Sequence, residues 1–90
     1  MESEVIYRVY RLRNPAGRHY VGLSEDVPLR LLQHNSGQST WTRGKGPWTL
    51  VWLSGPRSLT DARILENRIK KQKGGIGLQR LLDQERDPAS

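Results

Sequence analysis

Residues 9–22 read Val-Tyr-Arg-Leu-Arg-Asn-Pro-Ala-Gly-Arg-His-Tyr-Val-Gly, two β-prone runs either side of a turn. The first run, residues 5–12, is rich in β-branched and aromatic side chains and predicts a strand; the second predicts another over 18–24. Between them Pro15 presets φ for the first turn position, and Gly17 suits the left-handed position that closes a three-residue loop with a bulge. A loop of Pro15 to Gly17 pairs Asn14 with Arg18, Leu12 with Tyr20 and Tyr10 with Gly22. Because side chains alternate with a period of two, Tyr10 and Tyr20 then stand on one face.

Downstream, Asp26 is placed to cap a helix over 27–35, and Gly37 to end it. Val27, Leu31 and Leu32 are its apolar positions, while Arg30 and His34, four apart, share a side. A polar, glycine-rich loop over 36–46 carries Trp41, Arg43 and Lys45. The next run, 48–54, predicts a third strand with Trp48, Leu50 and Trp52 alternating to one side, and Gly55-Pro56 breaks it. Ser58 with Asp61 three residues on resembles a capping box opening a helix to about Lys73, with Leu59, Ala62, Leu65 and Ile69 as its stripe. Gly74-Gly75 stops that helix. A last helix over 78–85 carries Leu78, Leu81 and Leu82, and residues 87–90 are expected to fray. The order predicts an α+β fold, a small three-stranded antiparallel sheet flanked by three helices. One domain spans 1–90, with its core over about 5–82.

The chain has 90 residues and no cysteine, which excludes disulfides, thiolate zinc sites and cysteine nucleophiles together. Its two histidines, His19 and His34, are too far apart for a local metal motif. The longest apolar run is Leu50 to Leu53, so neither a signal peptide nor a membrane span is expected, and a soluble cytoplasmic protein is. Fifteen Lys and Arg against nine Asp and Glu give +6. So basic a small domain points to a polyanionic partner, nucleic acid before an anionic membrane.

Among the carboxylates, Glu2 and Glu4 open the chain, Asp83, Glu85 and Asp87 close it, Asp26 and Asp61 cap helices, and Glu25 sits in a turn. Glu66 remains, in mid-helix at the border of the apolar stripe. A plain ion pair with Lys70 at i+4 and a seat for a hard cation are both open to it. Tyr10, Tyr20, Arg30 and His34 bring two phenols, a guanidinium and an imidazole onto adjacent elements. With one carboxylate facing them, that is the inventory phosphodiester cleavage requires: a group to activate water, cations for the phosphate charge, and a metal.

On these residues the chain resembles the GIY-YIG nucleases, most closely the small stand-alone bacterial type. The resemblance runs through Val9-Tyr10, Tyr20-Val21-Gly22, Ser24, the stretch Arg30-Leu31-Leu32-Gln33-His34-Asn35-Ser36-Gly37, the stretch from Thr42 to Val51, and Ala62 to Lys71 around Glu66. It covers about residues 5–82. It implies a metal-dependent endonuclease hydrolysing DNA phosphodiester bonds with low intrinsic sequence specificity, in repair or recombination. By the same likeness Tyr10, in preference to Tyr20, deprotonates or orients the water. Arg30 stabilises the transition state, His34 assists the proton, and Glu66 holds one Mg²⁺ or Mn²⁺. The likeness departs at Arg8, which stands where the family's name-giving glycine falls and is expected to crowd the site. No asparagine follows Asn67. DNA, whether duplex, single-stranded or branched, is the expected partner, contacted by Arg18, Trp41, Arg43, Lys45, Lys70, Lys71 and Lys73. A protein partner would supply specificity, and no membrane is involved. The alternative reading is a non-catalytic nucleic-acid-binding module, in which Trp41 stacks a base and Arg43 and Lys45 track phosphates.

If those cations contact phosphates, DNA affinity should fall steeply with salt, with a log–log slope of about −0.9 per phosphate neutralised. Equilibrium titrations between low and physiological salt measure it, and a flat line would remove the nucleic-acid partner.

Overall fold

The turn at Asn14–Gly17 closes as its residues dictate. The Asn14 amide donates to the Arg18 carbonyl at 3.0 Å and the Gly17 amide to the Asn14 carbonyl at 3.0 Å, with Gly17 at φ 83°. The strands it joins, β1 (Arg8–Arg13) and β2 (His19–Ser24), pair antiparallel with Tyr10 opposite Gly22 and Leu12 opposite Tyr20. The computed structural model describes residues 5–89. Along it follow α1 (Val27–Asn35), β3 (Thr49–Leu53), α2 (Leu59–Lys71) and α3 (Gly75–Glu85). The sheet order is β2-β1-β3, all antiparallel, so the α+β fold with three strands and three helices holds.

One feature of β3 overturns an expectation. Arg11 faces Trp52 but Leu12 faces Leu50, so Val51 is an extra residue, a β-bulge. The bulge reverses the alternation, and the two tryptophans part. Trp48 joins Tyr10, Leu12 and Val27 on one face of the sheet, whereas Trp52 joins Val9, Leu65, Ile69 and Leu81 on the other. Leu50 is left exposed. The sheet is thus buried on both sides, under α1 on the tyrosine face and under α2 and α3 on the opposite face.

The helix ends follow capping chemistry. Asp26 accepts the Leu29 amide at 3.1 Å. At the far end of α1 the Gln38 amide reaches the Gln33 carbonyl and the Gly37 amide the His34 carbonyl, with Gly37 at φ 83°, a Schellman closure. Leu32 lies off the stripe that Val27, Leu31 and His34 set at i, i+4 and i+7, and it is exposed. Ser58 caps α2 by accepting the Asp61 amide at 3.1 Å. Helix α2 ends at Lys71, and α3 begins at Gly75, three residues before its expected start, because Gly74 already serves as its N-cap.

The expected fray fails at Asp87. Its amide donates to the Leu53 carbonyl at 2.8 Å, and its carboxylate receives Arg8 Nη1 at 2.8 Å. The same guanidinium nitrogen donates to the Ser54 carbonyl at 3.0 Å. Arg8 therefore spends its head group on the C-terminal segment and β3, which corrects the expectation that it crowds the tyrosines. Among the described residues no helix is long and apolar enough to cross a membrane.

Candidate active site

The register of the first hairpin places the Tyr10 ring over Gly22, and glycine there is a steric requirement. A Cβ at residue 22 would stand 2.6 Å from the Tyr10 hydroxyl and 2.8 Å from Cζ. Tyr10 is almost wholly buried, at 1% exposure. Its hydroxyl is hydrogen-bonded to His34 Nε2 at 2.8 Å, which ties β1 to α1. Tyr20 packs on the same imidazole, with ring centroids 4.8 Å apart, and lies 6.3 Å from the Tyr10 ring. The three rings form one cluster at the β2 side of the sheet.

Burial, reinforced by Tyr20, pushes the Tyr10 phenol up to about 12, although the Arg30 guanidinium opposes the rise; the Glu66 carboxylate adds to it. Tyr10 therefore keeps its proton at neutral pH. Burial, then Arg30, lowers the His34 pKa, so the imidazole is held neutral. Arg30 is partly buried on α1 and braced by Nη1 donating to Gln33 Oε1 at 2.7 Å. Glu66 reaches the cluster electrostatically from α2, the layer on the far side of the sheet. Its side chain is 19% exposed and pairs with Lys70 Nζ at 3.3 Å. The i+4 ion pair and the proximity to Tyr10 thus coexist. Among the described residues no group of three or more His, Cys, Asp or Glu gathers to bind a metal. A lone, largely sheltered carboxylate fits a hard divalent ion completed by waters and substrate oxygens, and does not fit an all-protein cage.

The loop over 36–48 is fastened to this cluster at several points. His34 Nδ1 is hydrogen-bonded to Thr42 Oγ1 at 2.8 Å, and Trp48 Nε1 donates to the Thr42 carbonyl at 3.1 Å. Asn35 brackets Trp48, accepting its amide at 2.6 Å and donating to its carbonyl at 3.1 Å. Asn14, from the hairpin turn, donates to the Lys45 carbonyl at 3.1 Å. Thr42, Asn35 and Asn14 went unnoticed in the sequence as parts of a site. The likeness to the family passes through Thr42 and Asn35, but nothing in their type or spacing told of a partner.

Beside the rings opens a groove of about 760 Å³ whose lining includes Arg18, His19, Tyr20, Trp41, Lys45 and Lys70. Four of the seven residues expected to meet nucleic acid come together there, with Trp41 presenting its indole at 75% exposure. Arg43 does not join them; its Nε donates to the Gly37 carbonyl at 2.8 Å and helps close α1. Lys71 and Lys73 are exposed but do not line the groove. His19 was not anticipated. Tyr20 is the only one of the five expected catalytic residues on the groove wall.

A histidine whose folded pKa lies below its unfolded value of about 6.5 stabilises the fold above that value, and the contribution is lost as pH falls through the depressed pKa. His34 and, by burial and the neighbouring Arg11 and Arg13, His19 are both lowered. Melting temperature should fall on acidification below about pH 6.5, before carboxylates titrate. His34→Gln should flatten that slope in a melting series from pH 7.5 to 5, and an unchanged slope would contradict the neutral, buried assignment.

Comparison with known proteins agrees with the geometry. Residues 6–78 match the GIY-YIG catalytic domain. A UPF0213 protein of Aeromonas hydrophila is 40% identical over 79 residues, 87% of this chain and 58% of that protein. One from Aeromonas salmonicida is 43% identical over 67 residues, 73% of this chain and 49% of that protein. A third, from Yersinia pestis, is 37% identical over 70 residues, 77% of this chain and 74% of its own length. The chain thus spans about half the length of the Aeromonas relatives. No solved structure matches. With the paired tyrosines and the histidine on one side of a three-stranded sheet, and the domain match covering most of the residues, this chain belongs to the GIY-YIG family.

Proposed function

We propose that this chain is a divalent-metal-dependent endonuclease that hydrolyses DNA phosphodiester bonds. The observation that carries the reading is the buried Tyr10–His34 pair with Tyr20 packed on it at the wall of a basic groove. A phosphate drawn into that groove by Arg18, Lys45 and Lys70 lies beside Tyr20. Tyr20 is half-buried and lines the groove, so its hydroxyl is the one placed to orient an attacking water. Tyr10, buried and with its pKa raised to about 12, is a poor proton acceptor. Its part is to hold His34, which supports Tyr20 from behind. Arg30, fixed on α1 by Gln33, offers charge to the pentacoordinate phosphate, where a preorganised cation is worth more than in water. Glu66 would hold the Mg²⁺ or Mn²⁺ ion, with Lys70 turning from Glu66 toward the DNA. An ion bound there supplies positive charge at the phosphate and its leaving oxygen. Cations that meet phosphates rather than base edges give low sequence preference. Placement by DNA structure or a protein partner would then direct cutting.

Glu66→Ala removes the ligand and also a negative charge near the DNA. Cleavage of a mixed panel of duplex, single-stranded and branched DNA in Mg²⁺ or Mn²⁺ should drop by orders of magnitude, while binding in EDTA stays equal or tightens. Metal-dependent cleavage that survives this change would remove Glu66 as the metal ligand and the nuclease assignment at this site, whereas a parent protein that binds but cleaves none of the panel would be the binding module. Arg30→Ala should cost about 10² to 10³ in rate, the usual cost of removing one group aimed at transition-state charge. It should also cost some affinity, and single-turnover kinetics separate the two.

A further inference from the structure

Thr42 is nearly fully buried, at 1% exposure, in a loop whose other residues are mostly polar and exposed. Its hydroxyl lies 2.8 Å from His34 Nδ1, while His34 Nε2 lies 2.8 Å from the Tyr10 hydroxyl. Both imidazole nitrogens are thus engaged by hydroxyls, each able to donate or accept, and the ring is equally buried. A neutral imidazole carries one proton, so one nitrogen donates and the other accepts.

The surroundings decide which. Of the two hydroxyls on this ring the Tyr10 phenol, far more acidic than the aliphatic alcohol of Thr42, is the stronger donor and the weaker acceptor. Among the described residues His34 Nε2 is the acceptor within hydrogen-bond distance of the Tyr10 hydroxyl. Either tautomer leaves one of the two buried hydroxyl protons without an acceptor among the described residues. Leaving the weaker, aliphatic donor of Thr42 unmet costs less than leaving the phenolic one of Tyr10 unmet. The phenolic proton therefore points at Nε2, Nδ1 carries the imidazole proton, and Thr42 Oγ1 accepts it. Tyr20 on β2 and Arg30 on α1 are the other groups against this ring, and Glu66 on α2 acts on it through Tyr10.

We infer that Thr42 is a positioning residue of the cleavage site, whose hydroxyl fixes the His34 proton on Nδ1 and so aligns Tyr10 and Tyr20, while fastening the groove loop of Trp41 and Lys45 to α1. The catalytic half of this statement rests on the nuclease reading above; the tautomer half does not.

The test uses the whole chain with Thr42→Val, which keeps shape and removes the hydroxyl, and Thr42→Ser, which restores it. Long-range ¹⁵N–¹H spectra of the imidazoles at neutral pH should show a single His34 tautomer protonated on Nδ1 in the parent and in Thr42→Ser, and loss of that single state in Thr42→Val. Cleavage in Mn²⁺ should fall at least about tenfold in kcat for Thr42→Val, within the range seen when an orienting partner of a functional histidine is removed. KM and DNA binding in EDTA should stay within about twofold, because Asn14, Asn35 and the Trp48 bond to the Thr42 carbonyl still hold the loop without the hydroxyl, and Thr42→Ser should recover most of the rate. A parent His34 protonated on Nε2, or a Thr42→Val protein with parental tautomer and rate, overturns the inference and leaves the nuclease reading standing. A parent protein with the Nδ1 tautomer and no cleavage of any DNA removes the nuclease reading and, with it, Thr42's catalytic role, leaving the tautomer assignment alone.

Discussion

The hydrogen bond between Tyr10 and His34 is the constraint around which the rest of the structure is arranged. It places two polar groups, each about 1% exposed, in the interior of a domain with little interior to spare. An unpaired buried phenol or imidazole costs about 1–3 kcal/mol, a large fraction of what so small a fold holds in reserve. Each partner must therefore be satisfied, and each satisfaction fixes another element. The phenol needs the space over Gly22, which fixes the hairpin register. The imidazole needs a second partner at Nδ1, which draws Thr42 and its loop inward. That loop carries Trp48 into the same cluster and Trp41 and Lys45 to the groove.

The sheet's two faces divide the labour. The opposite face is apolar, with Val9, Trp52, Leu65, Ile69, Leu81 and Leu82 in one buried cluster, and it supplies cohesion. The bulge at Val51 lets one short strand contribute a tryptophan to each face. Trp52 is pinned in the apolar layer by its indole nitrogen donating to the Leu82 carbonyl at 2.9 Å. Arg8, at the position where the family's naming glycine falls, links β1 to Asp87 and leaves the ring cluster open. The polar face can then carry strained demands on burial and charge because the other face holds the sheet together.

Much of this was legible in the sequence wherever a single residue type has a single structural use. Pro15 and Gly17 fixed the turn, and with it the shared face of Tyr10 and Tyr20. Asp26, Ser58 and Gly37 marked helix ends that fall within a residue or so of their expected places. The bulge was not legible, since no glycine or proline marks Val51 and alternation alone puts both tryptophans on one side. That Arg43 stands off the groove was not legible either, because charge carries no information on whether a nearby carbonyl, here that of Gly37, will hold it. Arg8 and Asp87 are 79 residues apart, and nothing local links them. Thr42 was silent for the same reason: a threonine in a polar loop shows its partner only once the chain is folded.

The proposed function requires that the ring cluster, Glu66 and the basic groove form one site for a metal ion and a DNA phosphate. A crystal structure of the protein with Mn²⁺ and a short oligonucleotide tests it most directly. The ion should sit on a Glu66 carboxylate oxygen at about 2.0–2.2 Å, the range of hard-cation contacts to carboxylates, and touch a phosphate oxygen. That phosphate should lie in the groove within hydrogen-bond reach of Tyr20 or the water it orients. DNA lying on another face, or an ion bound away from Glu66 with the groove empty, would contradict the account.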